Sequence, residues 1–233
     1  MKVIPLILRL FDRKEIFLLG GIGGIASVAF FLKNSQKDKL GVLGMQQAGK
    51  TRFLSFLRGV PFDEGQTSRK DYDDFVYKLS NGKKIYIKAG KDIGGDDMYR
   101  GDYNEVISES DVLLYFFDID KYLNDNNRGY RRDCNSRFEH IYDQAKARAR
   151  AKAKAKAKGI PDMVREILGR KFPIIIIATH KDKCSYGDSE MKQKFDSLVQ
   201  NKPYKNMLNE VQYVNLTNDT ETRRLADKIF KGE

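Results

Sequence analysis

Eight consecutive residues carry the most specific chemistry in the chain: Gly44, Met45, Gln46, Gln47, Ala48, Gly49, Lys50 and Thr51. Their spacing is G-x-x-x-x-G-K-T, in which each fixed position has a mechanical task. Gly44 and Gly49 allow the backbone to turn tightly, so that the intervening amides can point at phosphate oxygens. The ammonium of Lys50 can reach the two outer phosphates of a nucleotide, and the hydroxyl of Thr51 can ligate Mg²⁺. A helix starting at Thr51, with Arg52 in its first turn, would turn its positive dipole end toward the same anion. Two further stretches offer polar groups after an apolar run. Asp92-Ile93-Gly94-Gly95 supplies a carboxylate able to hold Mg²⁺ through water and an amide, that of Gly95, able to sense a terminal phosphate. Thr179-His180-Lys181-Asp182 supplies a second carboxylate.

These residues need rigid supports, and the sequence pattern predicts them. Leu40–Leu43 reads as a short buried strand leading into the glycine-rich loop. Thr51–Arg58 has apolar residues at 53, 54, 56 and 57, one face of a helix. Phe75–Leu79 and Lys84–Ala89 flank Asn81-Gly82, a hairpin signal. Asp111–Asp118 and Phe172–Ala178 are nearly continuous apolar runs, as expected of strands buried on both faces. Gln212–Leu216 is the expected last strand and Thr220–Phe230 a closing helix. Strands alternating with helices predict an α/β fold, with a mostly parallel sheet and helices on both faces.

The loop followed by "DIGGDD" resembles the Ras-superfamily small GTPases, most closely the Arf branch, over about residues 40–233. The resemblance implies a three-layer P-loop nucleotide-binding domain, with GTP or GDP and Mg²⁺ as ligands and an effector or regulatory protein as partner. It places Asp182 where the family reads guanine, its carboxylate accepting from N1–H and N2–H₂. Thr179 and His180 replace the family's Asn and Lys at that motif; His180 would lie beside the base, or be an ordinary surface histidine. Asn215-Leu216-Thr217 is the nearest match to the last base-side motif. Thr67, sixteen residues after Thr51, is the expected switch threonine and a metal ligand beside Thr51 and Asp92, with Ser68 as a substitute. Asp96 stands where the family has the glutamine that positions the attacking water. A carboxylate there repels polyanionic phosphate, which implies slow hydrolysis or none; Arg100 would add charge nearby or form a surface ion pair. The implied function is a GTP-binding switch; a nonhydrolysing nucleotide-bound scaffold and an ATP-using enzyme remain open.

Residues 16–32 run seventeen positions without a charge, against about 17–25 for a spanning helix. The expected organisation is a membrane anchor and linker at 1–39, then the nucleotide-binding domain at 40–233 in the cytoplasm. A cleaved leader (Ser27-Val28-Ala29 has suitable small residues), a buried core helix and an interfacial helix are the competing readings. The order of apolar segment and Arf-like domain is similar to that of signal-recognition-particle receptor β subunits. The net charge of +11 is mostly local: without the seven basic residues between Lys146 and Lys158 it falls to +4. That tract, around 145–158, reads as a basic insertion. It would form a solvated rod, a frayed helix or a low-complexity surface loop, attracted to anionic lipid or to nucleic acid. No aromatic residue is interleaved to stack on bases, so nucleic acid is not an expected partner. The two cysteines, Cys134 and Cys184, have no metal-like spacing and read as free thiols.

Overall fold

Seven consecutive residues, Val112–Asp118, are buried. A strand with no exposed face must lie inside a sheet covered on both sides. That is the architecture of the computed structural model, which describes residues 39–62, 70–92, 100–124, 126, 128–156 and 173–231. The apolar segment 16–32 lies outside the described residues, as do Thr67, Ser68, Gly95 and Asp96. Among the described residues no helix is long and apolar enough to cross a membrane.

Along the chain come β1 (Leu40–Gly44), α1 (Lys50–Arg58), β2 (Lys70–Tyr72), β3 (Phe75–Lys78), β4 (Lys84–Ile87) and β5 (Gly90–Asp92). There follow α2 (Arg100–Glu109), β6 (Val112–Asp118), α3 (Ile119–Leu123), α4 (Arg128–Lys156), β7 (Ile174–Thr179), α5 (Asp188–Val199), β8 (Gln212–Tyr213) and α6 (Asp219–Lys231). Six strands form one sheet in the order β2-β5-β1-β6-β7-β8. All neighbours are parallel except β2, which runs antiparallel to β5 at the edge. The fold is therefore α/β with a mixed, mostly parallel sheet. The chain leaves β1 toward β5 on one side and β6 on the other, so β1 and β6 flank the point where the strand order reverses. In open α/β sheets, ligands bind beyond the C-terminal strand ends at such a point.

Side-chain alternation explains how the sheet is covered. Phe116 meets Phe53 of α1, with ring centroids 5.5 Å apart. Its neighbours Tyr115 and Phe117 point the other way, to Phe138 of α4 (5.4 Å each), and Phe117 also stacks on Phe195 of α5 at 5.5 Å. Each buried aromatic ring contributes about 2–3 kcal/mol by its area alone.

The hairpin differs from expectation in a way that matters for the site. The second strand stops at Ile87 and resumes as β5, two residues later. The pairs Phe75↔Ile87 and Tyr72↔Gly90 keep one register across the break, so β2–β3 and β4–β5 are two arms of one bent ribbon. The Ala89 amide donates to Asp74 Oδ1 at 2.6 Å and bridges the bend. Beyond it the ribbon joins the main sheet through Val42↔Asp92, which carries Asp92 alongside β1.

One more expectation needs correction, and one set of alternatives is narrowed. The last strand is Gln212–Tyr213, not Gln212–Leu216; Leu216 is buried in the turn that follows. Of the forms expected for the basic tract, its described part is the helical one: α4 runs unbroken from Arg128 to Lys156. Its first turns are seated by buried Cys134, Arg137, Phe138 and Ile141. The tract then continues a helix already nucleated, in residues of high helix propensity. Repulsion between like charges four apart costs only about 0.2–0.5 kcal/mol per pair. Arg148 is an anchor, not a free charge: its guanidinium donates to the Ile107 carbonyl of α2. The two cysteines are free; Cys134 is buried and Cys184 half-buried.

Candidate functional site

The glycine-rich loop leaves the C-terminal end of β1, beside Phe116 of β6. The Met45 amide donates to the Phe116 carbonyl at 2.9 Å, which fixes where the loop departs. Gly44 has φ +152°, and a Cβ there would lie 2.2 Å from the Phe116 carbonyl oxygen. Gln47 (φ 57°) and Gly49 (φ +82°) are both left-handed, and Ala48 is buried between them. Alternating conformations of this kind turn successive amides into one concave surface, a nest for an anion. Helix α1 begins at Lys50, and its first intrahelical bond runs from the Phe53 amide to the Gly49 carbonyl at 3.0 Å. The Lys50 side chain is folded back over the loop, donating to the carbonyls of Met45 (2.8 Å) and Gly44 (3.3 Å). Gln46 is exposed at the loop's crest. Thr51 is half-buried in the first helical turn; Arg52 turns aside, its guanidinium 4.9 Å from the ring centroid of Phe62.

A second support holds the loop from behind. The Tyr103 hydroxyl of α2 donates to the Gly44 carbonyl at 3.1 Å and accepts from Arg137 of α4 at 2.6 Å. Both side chains are buried. Sequence reasoning missed this pair, because their contact spans 34 positions and leaves no local motif.

Asp118 and Thr179 face each other at the ends of β6 and β7. The Thr179 hydroxyl donates to the Phe117 carbonyl at 3.1 Å. His180 Nδ1 lies 3.0 Å from that hydroxyl oxygen and 3.3 Å from Asp118 Oδ2. Thr179 has spent its proton and the carboxylate only accepts, so Nδ1 carries the hydrogen and Nε2 of the neutral ring is an acceptor. His180 is itself left-handed, φ 59°, which turns the chain sharply into the short turn Lys181–Lys183. Asp182 is exposed on that turn. Lys121 of α3, which sequence reasoning also missed, sits 4.0 Å from Asp118 Oδ2 and donates to Gln47 Oε1 at 3.2 Å. It links the loop to the cluster at the ends of β6 and β7.

Leu216 completes the floor. A Cβ placed on Gly49 would lie 2.6 Å from Leu216 Cδ1 and 3.9 Å from Thr179 Cγ2. Residues from three separate sequence stretches therefore meet at Gly49. The donor chemistry fits a nucleotide: loop amides and Lys50 for phosphate, with the Thr51 hydroxyl and the buried Asp92 carboxylate for a hard divalent cation.

Burial pushes the His180 imidazole below its ordinary value, against the pull of the Asp118 carboxylate. The unfolded chain then takes up this proton first. Stability from the neutral ring is present above about pH 6.5 and is lost as pH falls toward the depressed value. In urea unfolding, the parent midpoint falls more between about pH 7.5 and about pH 5.5 than that of His180→Gln. Equal falls in the two proteins would refute this assignment.

Compared with models of known protein families and with curated protein sequences, the chain matches none. The class that the architecture and the site define is an α/β fold, compatible with the P-loop nucleoside-triphosphatases, with a nest-forming loop at the C-terminal edge of its sheet.

Proposed function

We propose that the chain is a membrane-anchored GTP-binding switch protein. Residues 1–39 would be anchor and linker, with the domain at 40–233 in the cytoplasm. That domain is read as a three-layer P-loop domain of the Ras superfamily, most like the Arf branch, with a basic insertion around 145–158. One observation carries the reading: the nest of Gly44–Thr51 abuts Leu216 and Thr179, and Thr179 ends the strand that leads to Asp182. A phosphate chain in the nest would set the base beside a carboxylate that guanine can satisfy with two donors and adenine cannot.

Each residue then has a task. Lys50 exchanges loop carbonyls for phosphate oxygens. Thr51 would ligate Mg²⁺ directly and Asp92 through water, with Thr67 added in the triphosphate state. The metal, when bound, neutralises charge on the terminal phosphates. Asp96 replaces a neutral water-positioning side chain with a negative one, so hydrolysis of GTP to GDP and phosphate is slow, and conformation rather than turnover is the output. Binding of an effector or regulatory protein at the membrane would read that conformation.

Titration of the full-length chain in detergent, at about millimolar Mg²⁺, tests this. GTP binds about a hundredfold more tightly than ATP, and Asp182→Ala removes the preference. Equal affinities in the parent overturn the reading, and a preference for ATP replaces it with an ATP-using enzyme. Asp96 favours one second reading, a nonhydrolysing guanine-nucleotide-bound scaffold. Single-turnover phosphate release separates the two: release, however slow, supports the switch, and none at all supports the scaffold.

A further inference from the structure

A carboxylate that reads a base must keep a fixed distance from the loop that grips the phosphates, because the nucleotide spans both. Asp182 lies on an exposed turn, so something else must hold it. Glu221, in the first turn of α6, is placed to do so. Its Oε2 accepts from Lys181 Nζ at 2.9 Å and from the Asn215 amide at 3.0 Å. Lys181 directly precedes Asp182. Asn215 directly precedes Leu216, the residue that leans on Gly49. A single carboxylate oxygen thus ties the base-side turn to the segment resting on the phosphate loop.

The segment 214–218 is already knit before Glu221 closes it. The Val214 amide donates to the Ala178 carbonyl at 2.9 Å, and the Asn218 amide to the Asn215 carbonyl at 3.2 Å. The Thr217 amide and hydroxyl both donate to Asn215 Oδ1, at 2.9 and 2.7 Å. Glu221 is oriented in turn by its own amide, which donates to Asn218 Oδ1 at 3.2 Å. Burial opposes its ionisation, yet the bonds from Lys181 and Asn215 hold the carboxyl below its ordinary range. It is charged at neutral pH.

We infer that Glu221 is a positioning residue for base selectivity, setting Asp182 against the phosphate loop without touching the nucleotide. The inference rests on the proposed reading of guanine by Asp182. Exposed and half-exposed ion pairs add little to global stability, so the effect of removing this one is local to the clasp.

The test compares GDP, IDP, ADP and inorganic tripolyphosphate on the full-length chain. IDP lacks the exocyclic amino group and offers Asp182 one donor fewer. Glu221→Ala lowers the GDP-over-IDP ratio by about tenfold, while tripolyphosphate affinity stays within about twofold of the parent. Glu221→Gln keeps an acceptor oxygen for Lys181 and Asn215 and retains most of the ratio. An unchanged ratio in Glu221→Ala, in a parent that prefers GDP to ADP, overturns the inference alone. Equal losses for GDP, IDP and tripolyphosphate also overturn it, because they mark collapse of the whole site. A parent without preference for GDP over ADP overturns the proposed function and the inference together.

Discussion

Replacing Lys50 by alanine lowers triphosphate affinity by about a thousandfold, and leaves the cooperative unfolding of the domain in place. Lys50 is buried at 6% exposure, and its ammonium rests on two carbonyls of its own loop, at 2.8 and 3.3 Å. It is therefore already inside the nest, and on the proposed reading needs only a change of rotamer to meet phosphate. Hydrogen bonds to charged groups contribute about 1.5–3 kcal/mol each, and two such bonds correspond to about 10²–10⁴ in affinity. Removing the cation also leaves the polyanion facing carbonyl oxygens with no compensating charge. Titration with a fluorescent GTP analogue measures the loss, and a thermal melt followed by circular dichroism checks the fold. An affinity within about threefold of the parent would refute the role assigned to Lys50.

Gly44→Ala is expected to damage the fold itself. The added methyl would lie 2.2 Å from the carbonyl oxygen and 2.7 Å from the amide nitrogen of Phe116. These are main-chain atoms of the fully buried central strand, so they cannot rotate away as a side-chain tip would. The backbone at φ +152° is also one that side-chain-bearing residues rarely adopt. Strain of about 1–3 kcal/mol and overpacking of about 1–3 kcal/mol combine to roughly 3–5 kcal/mol. For a domain of this size the melting temperature falls by about 10 °C or more. Gly59→Ala is the control: it too is left-handed, φ +66°, but an added methyl there meets nothing within 4 Å. That variant loses only about 1–2 kcal/mol, the cost of a left-handed backbone alone. Similar melting temperatures for the two variants would show that close approach to Phe116 is not what requires glycine at position 44.

What could be read in advance was what a local pattern encodes. The loop residues announce themselves because each has a task at fixed spacing, and the apolar runs at Val112–Phe117 and Ile174–Ala178 announce strands with no exposed face. β2, Lys-Asp-Tyr, escaped because an edge strand of three residues has neither a hydrophobic run nor a full period. β5 escaped because Gly90 and Lys91 are poor strand formers, held by pairing with β1 and β2 rather than by propensity. The helical rod of α4 was weighed against a loop because the tract has no apolar face of its own; its helicity is inherited from the buried turns upstream. At the candidate site, Gly49, Thr179 and Leu216 were each named from separate motifs, and the fold brings them together. Lys121, Tyr103, Arg137 and Glu221 were not named. Each acts through a side-chain contact between distant segments, which one sequence does not record.

The rear brace of the loop has a thermodynamic consequence. The Gly44 carbonyl accepts a hydrogen bond from Tyr103, and Tyr103 in turn is fastened by Arg137 in the seam between α2 and α4. One buried side chain therefore joins loop and seam. If a ligand in the nest strengthens the seam, then separating α4 from α2 weakens that ligand's binding by the same factor. Reciprocity of that sort requires no displacement of either helix; a hydroxyl with two obligations is enough.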